Sequence, residues 1–212
     1  MSSSTRNRHH PRQPRKVILG LAGLITLTGM MLVAHGLWIP AKAQLAQILL
    51  ERAWAQSLQT GQIHKAWSWA DSWPVAQLSI PSLGLKSIIL KEAGGEGLAF
   101  GPVLLNQSAQ PGNNGSTIIS AHRDTHFKVL KDIEIGEKLS LTLADGQKFD
   151  YEITQSRIAR WDQSGLSADG YEPELVLTSC WPFDSITPTD QRFILHAKQT
   201  SRTQIASNAP AD

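Results

Sequence analysis

The chain has 212 residues, 41% of them hydrophobic and 18% charged, which supplies a core for one compact domain plus an appendage and excludes a disordered chain. Five of its 20 basic residues lie before residue 17 with no acid among them, leaving 15 basic against 18 acidic residues beyond Ile39. A mildly acidic body argues against nucleic-acid binding, where the positive charge belongs on the folded part, and the single cysteine, Cys180, excludes an internal disulfide framework or a multi-cysteine metal site.

Residues 1–16 form a basic tail, in which His9 and His10 have no expected role. Val17 to Ile39 follow without a charged side chain, their polar members being Thr26, Thr28 and His35. As a helix these 23 residues reach about 34 Å, enough to cross a hydrocarbon core of about 30 Å. A helix satisfies its own backbone hydrogen bonds there. The basic cluster in front of this span, with only Lys42 just behind it, puts the N-terminus in the cytoplasm and exports the body. Ala41-Lys42-Ala43 also fits a small-x-small cleavage pattern. The apolar run is longer than signal-peptide cores of about 7–15 residues, however, so the expectation is a retained single-pass anchor in the cytoplasmic membrane.

From Ala41 to about Trp69 the pattern is helical. Ala46, Leu49, Leu50, Ala53, Trp54 and Leu58 fall on one stripe, as in a stalk or packing helix. Trp67, Trp69 and Trp73 mark either a lipid-interface belt or a packed junction, and Trp73-Pro74 is expected to end the helix. Expected boundaries are thus a stalk at 40–73, a β-domain at 74–200 and a polar tail at 201–212.

Beyond Pro74 the period becomes that of strands. Leu139, Leu141 and Leu143 alternate with polar residues, Asp145-Gly146 supplies a turn, and Phe149, Tyr151 and Ile153 alternate again, which predicts a hairpin over Lys138–Thr154. Further strands are expected at Val75–Ile80, Lys86–Leu90, Ser116–Ser120, Leu175–Ser179 and Phe193–Lys198, separated by Glu92–Gly97, Pro111–Gly115 and similar loops. Seven or so short strands suggest a sandwich or closed barrel. The glycines at 94, 95, 97 and 101 lack the strand–helix frame of a phosphate loop.

Reactive side chains stand at strand ends. One strand runs into His122, another into Cys180, and Arg192 opens a third after the loop 181–191. Antiparallel pairing of the last two strands would make Cys180 and Arg192 neighbours, while His122 must arrive from elsewhere in the sheet. A thiolate activated by an imidazole can attack an amide carbonyl, and a guanidinium can hold the oxyanion that forms. A buried structural thiol is the other reading of Cys180. His122-x-Asp124-x-His126 could ligate zinc in an extended strand. The charged run reads instead as a loop, in which Asp124 and His126 orient side chains or cap a helix starting near Phe127. His64 and His196 stand isolated in the sequence.

These residues resemble the motifs of the sortase family, most closely the form found in proteobacteria. Thr117-Ile118-Ile119-Ser120-Ala121-His122 is similar to the family's histidine motif, with Ala121 where a glycine is usual. Leu175-Val176-Leu177-Thr178-Ser179-Cys180 is similar to its cysteine motif, with Ser179 where a threonine is usual, and Arg192 falls on the family arginine. The resemblance covers about residues 40 to 198. It implies an eight-stranded β-barrel and a membrane-anchored cysteine transpeptidase that needs no organic cofactor. Such an enzyme cuts an LPXTG-like C-terminal sorting signal on an exported protein through a thioester on Cys180, then passes the acyl group to an amine. His122 would serve as acid and base and Arg192 as oxyanion donor, with Arg157–Glu174 and Trp181–Gln191 shaping the peptide groove. No residues match a calcium site. A thiol protease ending in hydrolysis, or a non-catalytic anchored β-domain, remain as other readings.

Overall fold

The computed structural model describes residues 14–92 and 96–204. His9, His10, most of the basic tail, residues 93–95 of the glycine-rich run and the end of the C-terminal tail lie outside them. The chain divides into two units at Leu45/Ala46.

The first unit consists, among the described residues, of the N-terminal part of helix α1, which spans Pro14–Thr60. Every side chain from Lys16 to Leu45 is exposed. The hydroxyls of Thr26 and Thr28 donate to the carbonyls of Ala22 and Leu24 one turn back, so neither needs a solvent partner. This segment is long and apolar enough to cross a membrane.

In the second unit the C-terminal part of α1 buries the expected stripe: Ala46, Leu50, Ala53 and Trp54 are buried, with Leu58 packed beside them. The helix ends earlier than the pattern suggested, at Thr60 rather than near Trp69. Gly61 takes φ +67° and its N–H donates to Ser57 O at 2.9 Å, a left-handed helix stop that glycine adopts at little cost. Trp73-Pro74, expected to end a helix, lies inside a strand. Pro74 sits at a register shift, where a residue without an N–H disturbs the ladder least. Of the tryptophans, Trp67 packs edge-on against Phe100 at 5.3 Å, whereas Trp69 is exposed.

Eight strands follow: β1 (Ser72–Ile80), β2 (Leu85–Glu92), β3 (Val103–Leu104), β4 (Gly115–Ser120), β5 (Lys138–Leu143), β6 (Gln147–Arg160), β7 (Pro173–Trp181) and β8 (Gln191–Gln204). They close into a barrel in the order β1-β2-β3-β4-β7-β8-β6-β5. Pairing is antiparallel except between β2 and β3 and between β4 and β7. The Lys138–Thr154 hairpin forms as β5 and β6, with Asp145 Oδ1 accepting from Gln147 N–H in the turn. Two-residue β3 is too short to show any alternation. Leu78, Ile80, Ile89, Leu139, Leu141, Phe149, Tyr151, Leu177 and Leu195 fill the interior, and burial pushes the Tyr151 phenol above its ordinary titration range.

Gly115 opens β4 at φ +106°, and a Cβ there would stand 2.0 Å from Ala168 O. Gly136 has φ +92° but open space around it. Gly115→Ala is therefore expected to cost about 3 kcal/mol or more through strain and overlap, and Gly136→Ala about 1–2 kcal/mol through strain alone. Urea unfolding of the two variants measures the difference.

Candidate active site

Strand alternation decides which face of the barrel carries the reactive residues. Ile119, Leu175, Leu177, Phe193 and Leu195 point inward into the core, whereas Ile118, Val176 and Ile194 form a separate cluster on the outer face under Leu105, Ala159 and Leu166. The same parity carried along β7 and β8 puts Cys180 and Arg192 outside. They are direct cross-strand partners, as the antiparallel reading anticipated.

His122 reaches them through the parallel β4–β7 pairing, whose last register pair is Ser120 with Thr178. Ala121 N–H continues the ladder to Thr178 O at 3.2 Å. Ser179 Oγ, fully buried, then donates to Ala121 O at 2.8 Å. The residue before the histidine is thereby bonded to the residue before the cysteine. His122, Cys180 and Arg192 consequently line one cavity of about 340 Å³, walled by Leu98, Leu105, Trp161, Ser164 and Leu166. Trp181, next to Cys180 in β7, stacks on Phe193, and Phe183 meets both rings edge-on, with centroids 5.2–6.2 Å apart.

His122 is exposed and Cys180 half-buried. The thiol and the imidazole make no hydrogen bond to the described residues, so both can meet an incoming molecule. Arg192 Nη1 donates to Thr189 O at 3.2 Å and Gln191 O at 3.0 Å. These bonds fix the guanidinium while Nε and Nη2 keep their donors free among the described residues.

Arg123 has a positioning role that its place beside His122 only hints at. It donates to Thr187 O at 2.6 Å and Thr189 Oγ1 at 3.3 Å, clamping the histidine loop to the β7–β8 loop. Of the two segments expected to shape a peptide groove, 157–174 lines the cavity through Trp161, Ser164 and Leu166, and 181–191 contributes no lining residue. The 123–127 stretch is turn, with Phe127 N–H donating to His122 O at 3.1 Å, so the alternation that would gather His122, Asp124 and His126 on one side does not apply. No three His, Cys, Asp or Glu side chains converge on a metal position among the described residues. The expected helix cap is also absent: the 3₁₀ turn Lys128–Asp132 starts at Phe127 without a side-chain cap.

Two outcomes follow from this geometry. Ser179→Ala leaves a buried carbonyl unpaired and is expected to lower unfolding free energy by about 1–3 kcal/mol in chemical denaturation. Burial first, and the charge of His122 second, hold His126 below the ordinary imidazole range. An NMR titration should show His126 protonating at lower pH than a free histidine, and His122→Ala should move it only part of the way back. Because the unfolded chain binds this proton more readily, its contribution to stability is lost as pH falls through the ordinary imidazole range.

A family model described as a sortase domain matches residues 78–200. Sortase D of Bacillus subtilis (strain 168) is 31% identical over 125 residues, which are 58% of this chain and 63% of the relative, so the match spans under two thirds of that protein. Among solved structures, the catalytic domain of B. anthracis SrtD superposes with a TM-score of 0.53 at 33% identity, over 62% of this chain and 90% of that one. A Clostridium perfringens sortase D5 transpeptidase shares the fold with a TM-score of 0.60 at 17% identity, over 74% and 99%.

Proposed function

This chain belongs to the sortase family, and on that premise we propose that it is a membrane-anchored cysteine transpeptidase acting on an LPXTG-like sorting signal. The observation that carries the reading is the cavity itself: a cross-strand Cys180–Arg192 pair and His122, from three strand ends, face the same 340 Å³.

In the proposed reaction Cys180, as thiolate, attacks the carbonyl carbon of the threonine in the signal. The free Nε and Nη2 donors of Arg192 stabilise the oxyanion, whose negative charge is largest in the transition state. Collapse breaks the C–N bond, and the His122 imidazolium gives its proton to the leaving amine. A thioester on Cys180 remains. An acceptor amine then loses a proton to His122 and attacks the thioester, releasing the product amide and returning Cys180 as thiolate. An exposed imidazole and a half-buried thiol on one cavity suit both the departing and the arriving amine.

The substrate would be an exported protein carrying the signal at its C-terminus. The anchor would be 17–39, crossing the cytoplasmic membrane once. The basic residues ahead of this segment support an N-terminus in the cytoplasm and a catalytic domain on the far side.

Incubation of the purified domain with an LPXTG-type peptide, read by mass spectrometry, should give an acyl adduct on Cys180 and the hydroxamate with hydroxylamine or the amide with oligoglycine. Cys180→Ala should form no adduct. His122→Ala should lower turnover about 10²–10⁴-fold, and Arg192→Lys about 10²-fold, since lysine lacks the planar fork of donors. Product that is free acid even with amine in excess would make the protein a site-specific thiol protease. Turnover by Cys180→Ala would remove the nucleophile assignment.

A further inference from the structure

The outer face of β4, β7, β8 and β6 carries a second set of polar side chains that the chemistry above does not use. Register pairs Ser116 with Glu174, Val176 with His196 and Ile194 with Arg157. Ser116 Oγ donates to Glu174 Oε2 at 2.9 Å, His196 Nδ1 lies 3.0 Å from Glu174 Oε1, and Arg157 Nε donates to His196 Nε2 at 3.3 Å. Arg157 Nη2 donates onward to the carbonyl of Ser164, a residue of the catalytic cavity wall.

The direction of every bond in this row is fixed. A guanidinium only donates, so His196 Nε2 accepts. The ring proton then sits on Nδ1 and donates to Glu174, and the other carboxylate oxygen accepts from Ser116. In this arrangement His196 accepts at Nε2 and donates at Nδ1, at 18% side-chain exposure. The bond from His196 is the first cause holding the Glu174 carboxyl below its usual range, so it stays an acceptor. His196 cannot serve as the catalytic base. Its partner Val176 lies four residues along β7 from Cys180, about 13 Å at strand rise.

What the row does hold is the segment 161–172 between β6 and β7. That segment is bonded to β4 near its far end, through Gly115 N–H to Glu172 O and Ser116 N–H to Ala168 O, both at 3.1 Å, and Lys198 pairs with Glu172. Toward its cavity end, where Trp161, Ser164 and Leu166 line the cavity, Trp161 N–H donates to Asp190 O at 2.8 Å and Arg160 holds Asp162 at 3.0–3.1 Å, while Ser164 is held by Arg157, oriented by His196 and Glu174.

We propose that Ser116, Glu174, His196 and Arg157 form a positioning row that sets the Ser164–Leu166 wall of the peptide groove and thereby determines substrate affinity without touching the reacting atoms. The substrate in this statement rests on the sortase reading; the positioning of the segment does not.

Four variants test it. In Arg157→Ala and His196→Ala, KM for an LPXTG-type peptide should rise about tenfold, the effect of losing one charge-assisted hydrogen bond, with kcat within about twofold of the parent. Amide hydrogen exchange over 161–172 should accelerate by a similar factor, while iodoacetamide alkylates Cys180 at the parent rate. His196→Gln can still accept from Arg157 and donate to Glu174, so it should restore both KM and exchange; His196→Lys, which cannot accept, should not. Exchange and KM unchanged in Arg157→Ala, or a fall in kcat at constant KM, would overturn the proposal. A parent protein that turns over no signal peptide would overturn the sortase reading instead, and the exchange measurements would still decide whether the row positions the segment.

Discussion

The site depends on the parallel pairing of β4 with β7 and on the bond that extends it past the last strand residue, Ser179 Oγ to Ala121 O. Parallel neighbours end at the same edge of a sheet, so the residues leaving β4 and β7 emerge side by side. Antiparallel β8 begins where β7 ends, which brings in Arg192. Cys180 and Arg192 thus lie within their strands and His122 only two residues past the end of β4, a more rigid arrangement than three flexible loops. Both positions of that tying bond depart from the usual family residues. Ala121 adds a methyl to the barrel core, while Ser179 keeps the hydroxyl that a threonine would supply.

The inside of the barrel is occupied. Large side chains such as Phe127, Phe149 and Tyr151 are fully buried there, leaving reactive chemistry only the outer face. On that face polarity changes along the strands in rows: Ser116 and Glu174 first, then Val176 with His196, then Ser120 with Thr178 and Ile194, and last Cys180 with Arg192. An apolar patch of Ile118, Val176 and Ile194 lies within these rows. Leu105 and Leu166 cover it and also border the cavity, so a single cluster both seats the surrounding segments and shapes the groove.

Much of this was legible in the sequence because strand alternation is a local signal. Leu139, Leu141, Phe149, Tyr151 and Ile153 announced their hairpin, and the spacing between Cys180 and Arg192 was enough to predict their pairing. Contacts set by topology were not legible. Nothing near His122 in the chain shows that β4 lies beside β7, because β5 and β6 intervene; only family resemblance brought the histidine to the cysteine. His196 looked isolated for the same reason, since its partners Glu174 and Arg157 sit on different strands. Errors of local punctuation had local causes. Gly61, not the distant Trp73-Pro74, stops α1, and the turn after His122 folds without the side-chain cap that Asp124 or His126 could have offered.

The continuity of the sheet around the nucleophile restricts how a peptide can be gripped. β7 is flanked by β4 as far as Thr178 and by β8 along Glu174–Trp181, and β8 is flanked by β7 and β6, so the backbone donors and acceptors of these strands are engaged on both sides along the paired stretches. Along those stretches an extended ligand finds no unpaired edge to which it could add itself as another strand. Side chains such as Trp161, Leu98 and Leu166 line the cavity, and their shapes would discriminate one residue from another, whereas main-chain docking accepts nearly any sequence. Discrimination by side-chain shape, rather than by main-chain pairing, would therefore be a consequence of closure.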